Sequence, residues 1–276
     1  MDQTQTASTA FRCLDLTSLN DNDTAESIAA FAQGARIGRD HVAALCVYPQ
    51  FVASAHKALR DLFAYHAVLP VDIATVVLFP SGKGASFADM KAEIHGAFED
   101  GATEIDMVFD HTSFLKGRFG QSRAFELVEA VQEIMAGSDR PAAKLKVIME
   151  TGVFDNPSDL VRAADGVARL RPDFLKTSTG KVPEGATLHK TRVLLEAIRD
   201  EHRRTGYLIG LKISGKIASV AQVQSHLNQA QEVFGEGWFA APHTFRIGAS
   251  GILSNIREIM GVPSPAIRKP MAELCY

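Results

Sequence analysis

Two kinds of pattern alternate along this chain. Short runs of apolar and β-branched residues recur at Cys13–Thr17, Ala44–Tyr48, Ile73–Phe79, Glu104–Phe109, Leu145–Met149, Phe174–Ser178, Leu208–Ile213 and Phe245–Ala249. Each ends in small or polar residues and leads into a stretch where apolar residues return at helical spacing. Near-continuous hydrophobicity within the runs predicts strands covered on both faces, as in a parallel sheet. Successive strand ends lie about thirty to forty residues apart, the length of one βα unit. Eight such units in about 250 residues predict an α/β fold closed into a single (β/α)8 TIM barrel. An open doubly wound sheet shares the alternation, but no run reads as an edge strand.

The intervening stretches predict helices at Ser27–Gly38, Phe51–Ala64, Ser86–Gly101, Phe119–Ala136, Pro157–Leu170, Leu188–Arg204, Val220–Phe234 and Ile252–Met260. Asp23 and Thr24 can cap the first, Pro49 suits a helix start, and Ser86 with Asp89 forms a weak variant of a capping box. Their apolar stripes are expected to face the core. No linker or composition break divides the chain, so residues 1–261 are expected to form the barrel, with a short N-terminal extension before the first strand. Residues 262–276, with Pro263, Pro265 and Pro270 and no periodicity, are expected to form a flexible tail.

Composition narrows the function. A hydrophobic content of 46% is enough for a substantial core. A net charge of −3, without a basic face, argues against a nucleic-acid partner. No apolar run is long enough for a bilayer, and Met1–Ala10 lacks the basic start and apolar core of a secretory signal. Cys13, Cys46 and Cys275 have no metal-ligand spacing and leave an odd thiol in any disulfide scheme. That suits a reducing compartment and predicts a cytoplasmic protein.

A lysine inside an apolar strand is unusual, because burying an ammonium is costly unless it is paired or loses its proton. This chain has two in neighbouring units, Lys176 within Asp173-Phe174-Leu175-Lys176-Thr177-Ser178-Thr179-Gly180-Lys181 and Lys212 within Gly210-Leu211-Lys212-Ile213-Ser214-Gly215. In one pocket each cation disfavours protonation of the other, and desolvation acts the same way. A neutral amine is a nucleophile for carbonyl carbon, the requirement of Schiff-base chemistry. One such lysine alone reads as a strand residue snorkelling to solvent or pairing with a carboxylate. Two, each followed by a glycine-containing turn, point to a site.

Barrels present reacting groups at the C-terminal ends of their strands. The ionisable residues there are Asp15, Asp106, Lys146, Glu150, Lys176, Lys212 and Arg246. Asp106, between Ile105 and Met107, is expected to point into the barrel, as a proton-transfer group or as the counter-ion of a buried lysine such as Lys146. Turns at Ser178-Thr179-Gly180-Lys181, Ser214-Gly215-Lys216 and Gly248-Ala249-Ser250-Gly251 offer backbone N–H groups suited to a phosphate. Gly210 to Lys216 matches seven positions of a Walker A loop, but Ile217 lacks the required hydroxyl and the glycine opens the strand instead of following it. The histidines are scattered, so no metal is predicted, and no nucleophilic-serine elbow occurs.

The stretches Asp15-Leu16-Thr17-Ser18-Leu19-Asn20, Cys46-Val47-Tyr48-Pro49, Glu104-Ile105-Asp106-Met107-Val108-Phe109, Lys146-Val147-Ile148-Met149-Glu150-Thr151-Gly152, Phe174 to Lys181 and Arg246-Ile247-Gly248-Ala249-Ser250 closely resemble deoxyribose-phosphate aldolase. The resemblance implies a class I aldolase of deoxyribonucleotide catabolism, with a (β/α)8 fold and neither metal nor organic cofactor. Such an enzyme reversibly cleaves 2-deoxy-D-ribose 5-phosphate to acetaldehyde and D-glyceraldehyde 3-phosphate. By the same resemblance Lys176 is the Schiff-base lysine and Lys212 the second lysine that keeps it unprotonated. Asp106 is the acid/base residue of a proton relay, and Tyr276 a terminal tyrosine acting in proton transfer at the acetaldehyde carbon.

Thr17 and Cys46 match pocket-lining positions, and Gly180, Lys181, Gly215 and Ser250 match the phosphate cradle. Lys146, Thr179, Lys216 and Gly251 are added as expected binding residues. The chain departs from the family pattern where Gly215 is followed by Lys216-Ile217-Ala218 instead of a second glycine, where Gly251 replaces a frequent serine, and where Asp110 replaces a common proline. Lys216 either adds a cation to the cradle or narrows its mouth. Another Schiff-base barrel lyase, transaldolase-like, and a phosphosugar-binding barrel without turnover are the rival readings. A homodimer or higher homo-oligomer stays open.

Overall fold

The computed structural model describes residues 1–83, 86–235 and 237–263. In chain order it contains α1 (Gln3–Arg12), β1 (Leu14–Thr17), α2 (Ala25–Ala32), a hairpin of β2 (Arg36–Ile37) and β3 (Asp40–His41), β4 (Ala44–Val47) and α3 (Val52–Leu62). Then follow β5 (Asp72–Val77), α4 (Phe87–Glu99), β6 (Glu104–Val108), α5 (His111–Phe114), α6 (Arg118–Ala136), β7 (Lys144–Ile148) and α7 (Pro157–Arg169). The chain ends with β8 (Phe174–Lys176), α8 (Leu188–Thr205), β9 (Gly210–Ser214), α9 (Val220–Phe234), β10 (Phe245–Ala249) and α10 (Ile252–Ile259). Eight parallel strands, β1 and β4 to β10, close into a barrel when β10 pairs with β1. Each expected run supplies one of them, so the architecture is the (β/α)8 barrel. No helix among the described residues is long and apolar enough to cross a membrane.

The strands separate two environments because their side chains alternate faces. Leu14, Leu16, Ile105, Met107, Val147, Leu175 and Leu211 point outward and join the apolar stripes of the helices in one continuous core. Fully burying each such side chain stabilises by about 1.5–3 kcal/mol. Inside the barrel, Ala44, Cys46 and Ala74 form a separate small cluster on β4 and β5. These strands lie across the barrel from β8 and β9, whose lysines need the room that small side chains leave.

Three elements depart from the expectation. The N-terminal extension is a helix, α1, started by a reciprocal capping box between Asp2 and Gln5. Its buried Ala7, Ala10 and Phe11 pack towards α9 and α10, a stripe obscured in the sequence by interleaved Thr and Ser. The first expected helix stops at Ala32, and the chain then forms the β2–β3 hairpin, turning through Gly38 at φ +60°. The short α5, capped by Asp110 onto Ser113 N–H at 2.9 Å, precedes α6.

Gly210 opens β9 because a Cβ there would lie 2.2 Å from a ring carbon of Phe174. The same ring carries the Arg246 guanidinium at 5.4 Å. Gly210→Ala is expected to destabilise by roughly 1–3 kcal/mol through overpacking. Urea unfolding should show a lower midpoint at unchanged slope, and an unchanged midpoint would mean that Phe174 has free space to retreat.

Candidate active site

Parallel register brings the strand charges to one level of the barrel. Asp106 pairs with Lys146 across β6 and β7, Lys176 with Lys212 across β8 and β9, and Lys212 with Arg246 across β9 and β10. With a side-chain period of two, one inward residue on each strand sets the direction of the others. Gly248 on β10 leaves the space this needs, since a Cβ there would sit 2.9 Å from Lys212 Cε.

These side chains form one ion cluster. Asp106 Oδ2 accepts from Lys176 Nζ and Lys212 Nζ, each at 2.7 Å, and its Oδ1 accepts from Lys146 Nζ at 2.7 Å. Lys212 also reaches Asp15 Oδ2 at 2.5 Å, and Lys146 reaches Glu104 Oε2 at 2.6 Å. Arg246 bridges Asp15 Oδ1 at 2.6 Å and Glu104 Oε1 at 2.9 Å, and donates to the Pro242 carbonyl. All seven side chains are at most 2% exposed. Asp15, Glu104 and Asp106 are balanced by Lys146, Lys212 and Arg246, which leaves Lys176 as the odd cation.

The charge states follow from that imbalance. Burial disfavours ionised Asp106, but Lys146, Lys176 and Lys212 outweigh it and hold the carboxyl well below the usual range. Burial likewise opposes charge on Lys212, and Asp106 and Asp15 override it to raise the ammonium. Lys146 is raised well above an ordinary lysine, because Asp106, Glu104 and Asp15 together exceed the effect of burial. Lys176 alone goes the other way. Burial lowers it most, Asp106 opposes, and Lys212 adds to the lowering. Of the two causes expected to lower Lys176, burial is thus the larger and the neighbouring Lys212 the smaller.

Lys176 opens onto a cavity of about 290 Å³ walled by Thr17 and by the turns after β8, β9 and β10. Glu150, at φ +48°, shapes the first turn by accepting from Ser178 Oγ at 2.7 Å, Thr179 N–H at 3.2 Å and Thr179 Oγ1. Gly215, at φ +87°, lets the second turn pass Gly185, whose Cα would lie 2.8 Å from a Cβ at 215. The third turn leads into α10, whose N-terminus has no side-chain cap and whose Leu253 N–H donates to the Ser250 carbonyl at 3.1 Å.

The cavity brings together Thr17, Lys176, Thr179, Gly180, Gly215, Lys216, Ser250 and Gly251 of the expected site. Lys212 and Asp106 lie behind Lys176 in the ion cluster. Lys146, expected to bind substrate, is instead enclosed in that cluster and is not on the cavity wall. Cys46 is fully buried near the lysines, also off the wall, with its thiol pushed up by burial. Lys181 turns away from the cavity. Its Nζ donates to the Leu19 carbonyl at 2.7 Å, approaches Asp21 at 3.4 Å and stands 5.9 Å from the Tyr48 ring centroid. Tyr276 and the tail from residue 264 lie outside the described residues. Of the two roles open to Asp106, the counter-ion role is realised with three lysines at once. Glu104 joins the cluster without being among the ionisable strand residues expected above; the sequence signal for it is that Glu104-x-Asp106 and Lys144-x-Lys146 repeat at period two and so share one face.

The DeoC/LacD family aldolase profile matches residues 9–253, nearly the whole barrel. The chain belongs to that aldolase family. Among solved structures, a candidate deoxyribose-phosphate aldolase from Toxoplasma gondii is 26% identical, with 94% of this chain and 95% of that chain covered at a TM-score of 0.82. A deoxyribose-phosphate aldolase from Aeropyrum pernix, described as a tetramer, is 21% identical, covers 93% and 92% of the two chains, and shares the fold at a TM-score of 0.63. In this family member the ion cluster and Lys176, which borders the cavity, occupy the strand ends where barrels carry out their chemistry.

Proposed function

We propose that this chain is a class I aldolase that reversibly cleaves 2-deoxy-D-ribose 5-phosphate to acetaldehyde and D-glyceraldehyde 3-phosphate, with Lys176 as the Schiff-base nucleophile. The observation that carries the reading is the place of Lys176, the fourth cation of a buried cluster with three carboxylates, on the wall of a cavity formed by the glycine-containing turns after β8, β9 and β10. The Lys176 amine adds to the aldehyde carbon C1, and loss of water gives an iminium. Asp106, ionised and 2.7 Å from Lys176 Nζ, accepts the proton of the C3 hydroxyl, directly or through a water. The C2–C3 electron pair moves into the iminium, releasing glyceraldehyde 3-phosphate and leaving an enamine. Protonation at C2 and hydrolysis return acetaldehyde and the free amine. Lys212, held cationic by Asp106 and Asp15, is the nearby proton donor. Tyr276 is a second candidate for protonation at C2.

Borohydride added with acetaldehyde is expected to fix an ethyl group on Lys176, identified by peptide mass mapping. Label on another lysine, or none, would falsify the nucleophile assignment. A panel of phosphorylated and free aldehydes, assayed for retro-aldol or aldol product, separates the deoxyribose 5-phosphate reading from a transaldolase-like lyase.

A further inference from the structure

Lys176 and Lys216 are the cations on the cavity wall among the described residues, and Lys216 has an unusual backbone. Its φ of +61° lies in the left-handed region, directly after Gly215 at φ +87°, where a Cβ is disfavoured. Gln222 holds the turn in that shape. Its Nε2 donates to the Lys216 carbonyl at 3.3 Å, and its Oε1 accepts from Ala218 N–H at 2.8 Å and Ser219 N–H at 3.1 Å. The N–H groups of Gly215, Lys216 and Ile217 meet no acceptor among the described residues. Lys181, the cation expected to serve the cradle, is engaged with Leu19 and Asp21 instead. Backbone strain of this kind persists where the surrounding structure uses it.

We propose that Lys216 is the specificity-determining residue for the anionic end of the substrate. Its ammonium and the free N–H groups of its turn take the phosphate, with Gln222 as the positioning residue that keeps the turn left-handed. The assignment rests on the phosphosugar reading above, and it resolves whether Lys216 supplies charge or only narrows the mouth. A point cation on a flexible stem at the rim also explains how the chain recognises phosphate with Gly251 in place of a serine hydroxyl.

Turnover of 2-deoxyribose 5-phosphate against unphosphorylated 2-deoxyribose tests it. Lys216→Gly is expected to lower the preference for the phosphorylated sugar by roughly 10- to 100-fold, the worth of one charge-assisted hydrogen bond, through KM and not kcat. Lys216→Arg keeps most of the preference, and Lys181→Met leaves it unchanged. Lys216→Gly should melt no lower than the parent, because relief of left-handed strain offsets the freedom that glycine adds to the unfolded chain. Inorganic phosphate gives a readout without turnover, raising the melting temperature of the parent and not of Lys216→Gly. Retained preference in Lys216→Gly, lost preference in Lys181→Met, or an equal phosphate response in parent and Lys216→Gly overturns the assignment. Loss of the phosphate response in Lys216→Gly, with no turnover of either sugar by the parent, supports Lys216 and removes the aldolase reading instead.

Discussion

Lys176→Met is expected to abolish retro-aldol turnover while leaving the barrel intact. In the proposed mechanism a covalent nitrogen takes up the C2–C3 electron pair, so kcat/KM should fall by about 10⁴-fold or more, measured as release of glyceraldehyde 3-phosphate. Methionine fills nearly the same volume, and it removes the one cation of the cluster that has no carboxylate of its own. The melting temperature should therefore hold or rise, which separates loss of chemistry from loss of structure. In the parent, activity should increase with pH as Lys176 gives up its proton, with a midpoint below the ordinary lysine value of about 10.4, because burial lowers the folded amine. Turnover within tenfold of the parent in Lys176→Met would place the nucleophile elsewhere.

Arg246→Met is expected to produce the largest loss of stability. The guanidinium holds Asp15 and Glu104 at 2.6 and 2.9 Å inside the barrel, and removing it leaves both carboxylates short of charge in a dry interior. Breaking a buried ion network in this way costs about 3–5 kcal/mol, a fall of roughly 10 °C in melting temperature for a chain of this size. The pH dependence carries the same signature. Burial acts to raise Asp15 and Glu104, but the surrounding cations hold both below ordinary carboxylates. The stability they contribute is therefore fully present above the unfolded value of about 4 and is lost as pH falls through the depressed folded values. In Arg246→Met the depression is smaller, so acid unfolding should begin at higher pH. A variant with the melting temperature and acid midpoint of the parent would show that Lys146 and Lys212 satisfy both carboxylates alone.

Neighbouring residues are enough to reveal the barrel, since the change from strand to helix periodicity needs only a window of the chain. The same window exposes Lys176 and Lys212, because a lysine among Phe174, Leu175, Leu211 and Ile213 stands out wherever the strand ends up. It hides α1, whose apolar stripe of Ala7, Ala10 and Phe11 is thin and becomes a helix face only when α9 and α10 cover it.

Charge state and side-chain direction belong to the closed structure. Whether Glu104 is tolerated depends on Lys146 and Arg246, which arrive from other strands only when the barrel shuts. Lys181 and Lys216 look alike as turn lysines in sequence. Leu19 and Asp21, distant along the chain, hold the first, while the second lies on the cavity wall in a turn whose backbone Gln222 bonds. Periodicity is a sum over adjacent residues, and a proton's affinity is a sum over every charge and dry surface within a few ångströms. The first can be read along the chain, and the second exists only after folding has chosen the neighbours.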